Sequence, residues 1–214
     1  RQGPAFERNA LRKLTTSRLD LAAMADVLSK KMPLVIAAYR ASDILRALEL
    51  AKQEGLRMVI TGGNEAWLVA AQLAAAKVPV ILGPLDNDPG SFQTLNSRAD
   101  NAALLAAAGV EVVLSTEQSH LASNLRFYAG NAVRAGMTFE AALRAITLAP
   151  ALAFGAADRY GALEAGRVAN LVVWSGDPFE PSTAAEVVVV KGQRTPVESR
   201  QTRLRARYQK RLGL

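Results

Sequence analysis

Four short apolar runs, each followed by a helical pattern, organise the first 150 residues of the chain. The runs cover residues 33–38, 57–60, 78–82 and 110–114, and none of them shows the regular alternation of apolar and polar residues seen in half-exposed strands. Strands without that alternation are typical of parallel sheets that helices cover on both faces. Repeated strand–helix units require crossover connections, so the pattern predicts an α/β layer or barrel.

The helices and the C-terminal part of the chain narrow this choice. Ser42 is predicted to cap the first of the helices, and Thr138 the last of them. Two further strands, at residues 169–174 and 186–190, are separated by a loop rich in Gly, Pro and Ser. Four strand–helix units alone are compatible with a flavodoxin-like open sheet or with half of an eight-stranded barrel.

Residues 147–178 read TLAPALAFGAADRYGALEAGRVANLVVWSGDP and contain two spaced elements. The first is T-x-x-P-A-x-x-x-G, from Thr147 to Gly155, and the second is G-x-L-x-x-G-x-x-A-N-L-V-V, from Gly161 to Val173. This segment resembles the one that closes the barrel in the amidohydrolase superfamily, including the imidazolonepropionase-related enzymes. Asn170 stands where that superfamily usually has Asp.

The resemblance implies the C-terminal half of a (β/α)8 TIM-like barrel followed by strands of a small β-sandwich. We therefore expect the barrel half in residues 1–160, the sandwich strands in 161–193 and a basic C-terminal helix in 194–214. The sandwich of this superfamily also needs N-terminal strands, which this chain does not have. An N-terminal half of the same barrel, or a partner subunit, is expected to complete the fold.

The same resemblance implies hydrolysis of non-peptide carbon–nitrogen bonds, as in cyclic amides and N-acyl compounds, by a metal that histidines hold at strand ends. This sequence departs from that pattern at three strand ends. Ala37 or Tyr39 stands at the first expected histidine and Gly62 at the second, while Glu117 replaces the usual Asp. No complete ligand set lies in this chain, so zinc or another divalent metal is expected only if the absent N-terminal half supplies ligands.

Five polar residues near strand ends are the candidate site residues. Glu117 and His120 are the candidate catalytic pair, in which the carboxylate orients the imidazole as a general base; the alternative is a solvent-facing loop or helix cap. Arg40 is a candidate clamp for a substrate carboxylate, with an ion pair to Asp43 as the alternative. Asn64 and Glu65 are candidate substrate-binding residues at a helix N-terminus, where N-capping is the alternative for Asn64.

Two other features carry less functional information. The segment Asp86-Asn87-Asp88-Pro89-Gly90 has neither the Gly nor the Glu position of an EF-hand, and it is interpreted as a turn-rich loop at the rim of a pocket. Trp67 and Trp174 lie in apolar elements, which favours a place in the core over base stacking.

Charge argues against nucleic acid as a partner. Residues 194–214 contain seven Lys or Arg against Glu198 alone, so six of the seven surplus positive charges belong to this tail. Leu204, Tyr208 and Leu212 are spaced as one stripe of a helix, which predicts a solvated helix that lies on the domain.

No apolar run approaches the ~20 residues of a membrane span, and the absence of cysteine excludes disulfides and thiolate chemistry.

Three hypotheses follow. The first is a pseudoenzyme of hydrolase lineage that has lost its metal site and binds a small molecule or stabilises a partner subunit. The second is an active hydrolase with an altered site built on Glu117 and His120. The third and least favoured is a nucleic-acid binder that uses the basic tail. A homo-oligomer, the bacterial cytoplasm and the periplasm all remain open.

Overall fold

The computed structural model describes residues 17–84, 90–198 and 200–213, which form a mixed α/β structure. The strands are β1 (Leu34–Ala38), β2 (Met58–Gly62), β3 (Val80–Leu82), β4 (Val112–Leu114), β5 (Leu171–Trp174), β6 (Ala185–Val190) and β7 (Gln193–Thr195). The helices are α1 (Arg18–Leu28), α2 (Ala41–Glu54), α3 (Ala70–Ala76), α4 (Asn101–Ala107), α5 (Leu125–Arg134), α6 (Phe139–Ile146), α7 (Leu148–Ala153) and α8 (Arg200–Leu212). Short 3-10 helices span Ala66–Val69 and Ser119–Asn124.

Strands β1 to β4 form one parallel sheet in the order of the chain. Leu34 pairs with Met58 at the start of β1, and Ala38 pairs with Gly62 at its end. A flavodoxin-like sheet would place the second strand outside the first, whereas neighbouring strands of a (β/α)8 barrel follow the chain order. The α/β class and the partial-barrel topology are thereby confirmed.

The two faces of this sheet are covered in different ways. The outer face packs on helices α2 to α6, and its buried strand residues include Ile60, Val80 and Leu82. The inner face is covered by α7, where Ala149 and Ala153 pack against β2 and β4 in a separate buried cluster. At the β1 edge the inner face stays open, with Val35 43% exposed. Helix α7, which contains most of the T-x-x-P-A element, therefore covers the part of the inner face formed by β2 and β4.

The start of α2 corrects one prediction. The N-cap is Arg40 rather than Ser42, and the Ser42 hydroxyl is turned to Asp43 Oδ1 at 3.4 Å. The first N–H group of the helix, that of Ala41, instead donates to Glu65 Oε2 at 2.9 Å. A tertiary bond from the next strand–helix turn thus takes the place of a local cap. The predicted cap at Thr138 is confirmed, because its hydroxyl accepts from the Ala141 N–H at 3.2 Å.

Strands β5, β6 and β7 form a small antiparallel sheet. Strand β7 was not predicted, because its three residues are all exposed and polar and show no apolar pattern. Strand β7 contains Arg194, which the sequence analysis assigns to the C-terminal helix. That helix begins only at Arg200. Asn170 Oδ1 accepts the Lys191 N–H at 2.8 Å and so fixes the turn between β6 and β7.

Arg126 of α5 joins the small sheet to the helical layer. Its guanidinium donates to the carbonyls of Pro178 at 2.7 Å and Glu180 at 2.9 Å, and it lies over the Trp174 ring at 5.1 Å. Nearby, the Phe179 and Phe139 rings pack with their centroids 4.8 Å apart. Trp174 is therefore only partly buried, as an interface residue rather than a core residue.

Helix α8 is exposed along the whole of its length that the structure describes. Leu204, Tyr208 and Leu212 are 38%, 54% and 71% exposed, so the predicted stripe does not pack on the domain. Across the three described ranges, no helix combines the length and the apolar character needed to cross a membrane.

The packing of α7 predicts a specific sensitivity. Ala149 is fully buried between α7 and the inner face, so Ala149→Leu should overpack this layer and lower the free energy of unfolding by about 1–3 kcal/mol. Ala107→Leu adds the same side chain on an exposed position of α4 and should change stability by less than about 0.5 kcal/mol. Urea unfolding of the full-length protein measures both. Equal effects would show that α7 is not packed as described.

Candidate functional site

A cleft of about 410 Å³ lies where the four parallel strands end. Tyr39 follows β1, Gly62 ends β2, Gly83 follows β3, and Glu117 follows β4. The other lining residues come from the end of β3, the strand–helix turns, the β3–α4 loop and the start of α4: Leu82, Asn64, Pro84, Gly90, Ser91, Thr94, Ser97, Arg98 and Asn101. The C-terminal ends of parallel strands are where barrel enzymes place their sites, because all the βα loops meet there.

The Tyr39 ring occupies the space next to Gly62. Gly62 has φ +91°, and a Cβ added to it would lie 2.8 Å from Tyr39 Cδ1 and Cε1. Contacts this short are not tolerated, so any side chain at position 62 requires the tyrosine ring to move. The space beside the end of β2 is therefore filled by an aromatic ring that projects from β1.

A second glycine gives room to Glu117. A Cβ added to Gly83 would overlap the carboxylate, with Glu117 Cδ only 2.6 Å away. Glu117 itself adopts φ +58°, a left-handed conformation that costs a non-glycine residue about 1 kcal/mol or more. Its backbone N–H donates to Ser115 Oγ at 3.0 Å, which helps to hold this turn. The carboxylate is thus placed over the end of the neighbouring strand.

Asn101 brings a buried amide to the wall of the cleft. Its side chain is almost wholly buried, and Nδ2 donates to the Gly63 carbonyl at 2.8 Å. This bond identifies the nitrogen, so the remaining atom is the acceptor Oδ1. Oδ1 has no hydrogen-bond partner among the residues that the structure describes. A buried acceptor without a donor is unusual and costs stability.

Two side-chain bonds tie the β3–α4 loop to the turn after β2. Asn64 Nδ2 donates to Ser97 Oγ at 2.7 Å, and Asn96 Nδ2 donates to Glu65 Oε1 at 2.7 Å. Asn64 therefore bonds to this loop, and its interpretation as an N-cap is wrong, because Glu65 is the cap position of the 3-10 helix.

An ion pair completes this wall. The Arg98 guanidinium donates to both Asp100 carboxylate oxygens, at 2.7 and 2.6 Å, and lies 4.6 Å from the centre of the Trp67 ring. Hydrogen bonding to Arg98 holds the pKa of Asp100 below its usual value, and the same bond raises the pKa of Arg98. Trp67 in turn donates from Nε1 to the Asn96 carbonyl at 3.1 Å, which makes it a half-buried support of the loop.

Of the five candidate residues, Glu117 and Asn64 line the cleft and the other three are outside its lining. Glu65 uses both carboxylate oxygens inside the protein, on Ala41 N and Asn96 Nδ2. Arg40 is exposed, and its carbonyl accepts the N–H groups of Asp43 and Ile44, while Asp43 bonds to Ser42 rather than pairing with the Arg40 side chain. His120 is exposed in the second 3-10 helix. Their functional roles stay predictions.

Local sequence patterns carry little signal for the remaining lining residues. Ser97 and Arg98 lie in a polar loop without a motif, and Asn101 opens an Ala- and Leu-rich helix as an isolated polar residue. Residues 86–89 of the turn-rich loop lie outside the described residues, and Gly90, which follows them, lines the cleft.

The cleft residues do not fit the zinc site that the resemblance implies. Their polar side chains are one carboxylate, hydroxyls, amides and one guanidinium, with no imidazole. Within the part of the chain that the structure describes, no three His, Asp or Glu side chains converge as metal ligands. Zinc sites use at least three protein ligands.

Comparison with known proteins identifies the lineage. The Amidohydrolase family matches residues 27–198, which is most of the chain. This chain belongs to the amidohydrolase family. An amidohydrolase of Thermotoga maritima has a similar structure, with a TM-score of 0.78 and 33% identity over 86% of this chain and 49% of that one.

Two sequence relatives are similar over shorter stretches. Imidazolonepropionase of Cupriavidus necator is 35% identical over 114 residues, which are 51% of this chain and 26% of that protein. Amidohydrolase tasK of Hapsidospora irregularis is 38% identical over 92 residues, 38% of this chain and 9% of that protein. The chain thus spans half or less of the length of the relatives it matches.

The contact between Tyr39 and Gly62 can be isolated by substitution. Gly62→Ala should lower the free energy of unfolding through both the left-handed backbone and the overlap with the ring, by about 2–4 kcal/mol in total. Gly166→Ala is the matched control, because Gly166 has φ +86° and nothing within 4 Å of an added Cβ. It should cost only the backbone part, about 1–2 kcal/mol.

Combining Gly62→Ala with Tyr39→Ala should remove the steric part of the loss. Chemical denaturation of the four variants, including Tyr39→Ala alone, measures the coupling between the two positions. Additive effects would contradict the packing of the ring on Gly62.

The Arg98–Asp100 pair predicts a pH dependence. Because the pKa of Asp100 is lowered in the folded state, the pair stabilises the protein above the unfolded pKa of about 4, and this contribution is lost as the pH falls through the lower folded value. Asp100→Asn should therefore reduce stability slightly at pH 7 and have a vanishing effect towards pH 2–3. Unfolding midpoints measured from pH 2 to pH 8 check this; a difference that grows in acid would contradict it.

Proposed function

We propose that this chain is the C-terminal half of an amidohydrolase-family protein that has lost or altered its metal site and uses the strand-end cleft to bind a small molecule. One observation carries the proposal. The Tyr39 ring fills the space beside Gly62, where the resemblance expects a metal-binding histidine. A ligand side chain at position 62 would require the Tyr39 ring to move, which supports the proposal.

The position of Ala37 supports the same proposal. Ala37 pairs with Thr61 across β1 and β2, next to the Gly62 strand end. Neither alanine nor threonine replaces an imidazole ligand. The two expected histidine positions therefore stand on adjacent strands, and both lack a nitrogen ligand.

The cleft itself supports a binding role. Its volume of about 410 Å³ lies within the range of about 300–1000 Å³ that is typical of small-molecule sites. The lining is more polar than apolar, and its polar groups, among them Glu117 and Asn101, are available to orient a polar ligand. Substrates of the lineage, such as cyclic amides and N-acyl compounds, are the compound classes to test first.

Completion of the barrel is part of the proposal. Strands β1 and β4 are the edges of the four-stranded sheet, and the inner face next to β1 is open. The N-terminal half of the same barrel, or a partner subunit with equivalent strands, would cover these edges and contribute to the cleft. A sheet edge with unpaired backbone groups favours association with further strands.

An active hydrolase with an altered site is the second candidate, and Glu117 is the observation that favours it. A glutamate with left-handed φ at a strand end is the kind of strained conformation that is common at functional positions. In this alternative Glu117 serves as a general base, and His120 must be brought to the cleft by groups from the rest of the protein. Metal ligands from the N-terminal half would be needed as well.

Metal content and turnover of the full-length protein test the proposal. We expect well below one zinc per chain after purification in zinc-containing medium, and no hydrolysis of a panel of lactams, cyclic ureas and N-acyl amino acids. Near-stoichiometric zinc that is lost in Glu117→Gln or His120→Gln, or turnover that depends on either residue, would establish the hydrolase instead. Glu186→Gln, an exposed carboxylate of β6, is the control for non-specific effects.

A further inference from the structure

We propose that the ligand of this cleft carries a cationic nitrogen donor, an ammonium or guanidinium group, which the Glu117 carboxylate and the Asn101 amide oxygen bind. This inference rests on the small-molecule binding proposed above and gives that ligand a chemical class. It depends on three features of the lining: its unpaired charge, its unpaired acceptor and its aromatic ring.

The first feature is charge. The described lining residues include one basic side chain, Arg98, and one acidic side chain, Glu117. Arg98 is already neutralised, because both carboxylate oxygens of Asp100 accept hydrogen bonds from it. The Glu117 carboxylate, by contrast, makes no side-chain hydrogen bond or ion pair with any described residue; the Ser115 contact involves only its backbone N–H. The cleft therefore presents one uncompensated negative charge, which attracts cations and repels anions.

The second feature is Asn101 Oδ1. This acceptor has no partner, and it belongs to a side chain that is 3% exposed and lies in the wall of the cleft. In this inference the Asn101 side chain turns Oδ1 towards a donor that enters the cleft. That bond would remove the cost of the unsatisfied acceptor. A ligand that carries only acceptors would leave this cost in place.

The third feature is Tyr39. Its ring lies at the end of β1 and lines the same cleft beside Gly62. Aromatic faces attract ammonium and guanidinium groups through the ring quadrupole. A carboxylate ligand would instead need Arg98, whose charge is already compensated by Asp100. All three features therefore favour a cationic donor.

Four probes of similar size separate charge from donor capacity. They are n-butylammonium, n-propylguanidinium, butyramide and butyrate, titrated into the full-length protein and followed by ligand-observed NMR. We expect the two cations to bind about tenfold or more tightly than butyrate, with butyramide in between.

Variants assign the effect to residues. Glu117→Gln should weaken both cations about tenfold and leave butyramide unchanged, because only the charge is removed. Asn101→Leu should weaken the cations and butyramide, which are donors, but not butyrate. Glu186→Gln should change none of the four dissociation constants. The thermal midpoint of each variant is measured first, and Glu117→Gln decides the question if Asn101→Leu does not fold.

The outcomes separate this inference from the function on which it rests. Tighter binding of butyrate, equal binding of all four probes, or no binding of any of them would overturn the cationic ligand. In the first two cases small-molecule binding at the cleft would still stand. Zinc-dependent turnover would overturn the proposed function, whichever probe binds best.

Discussion

The parallel pairing of β1 to β4 is the constraint on which the rest of this structure depends. Parallel strands in chain order bring the residues that follow Ala38, Gly62, Leu82 and Leu114 to one edge of the sheet. The polar groups of the cleft follow the ends of these strands, or lie in the β3–α4 loop and at the start of α4, which bond to the turn after β2. Because the strands run through the core without charged residues, the polar chemistry is confined to their ends.

Packing at this edge has two linked parts. Gly62 leaves space for the Tyr39 ring, and Gly83 leaves space for the Glu117 carboxylate. In each pair a glycine on one strand makes room for a long side chain from a neighbouring strand. The two glycines thereby shape the polar cleft at the ends of the strands.

The segment that identifies the family acts at a distance from this cleft. Its first element forms α7, which plugs the inner face of the sheet through Ala149 and Ala153. Its second element leads into β5, and Asn170 fixes a turn of the small sheet. Both parts serve folding. The segment that identifies the family therefore packs the fold, and the described cleft is lined by other residues.

Much of the fold could be predicted from the sequence, since apolar runs and helical periodicity report burial directly. The four parallel strands, the Thr138 cap and the two longer strands of the small sheet were predicted in this way. Ser42 and Asn64 were assigned wrongly as caps, because tertiary bonds from Glu65 and to Ser97 take precedence over local capping. Strand β7 was missed because it has no apolar pattern, and the exposure of α8 was missed because its apolar stripe predicts a packing that the described structure does not show.

For the candidate site, too, some features could be predicted from the sequence and others could not. The sequence by itself determined the lineage and the α/β class, since these are matters of residue type and order. Only the tertiary structure decided that Glu117 and Asn64 share a cleft from which His120 and Arg40 are absent, that Arg98 is neutralised, and that Asn101 Oδ1 is unpaired. The physical reason is that hydrogen bonds and charge pairing depend on distances between residues far apart in the chain, which local sequence patterns do not encode.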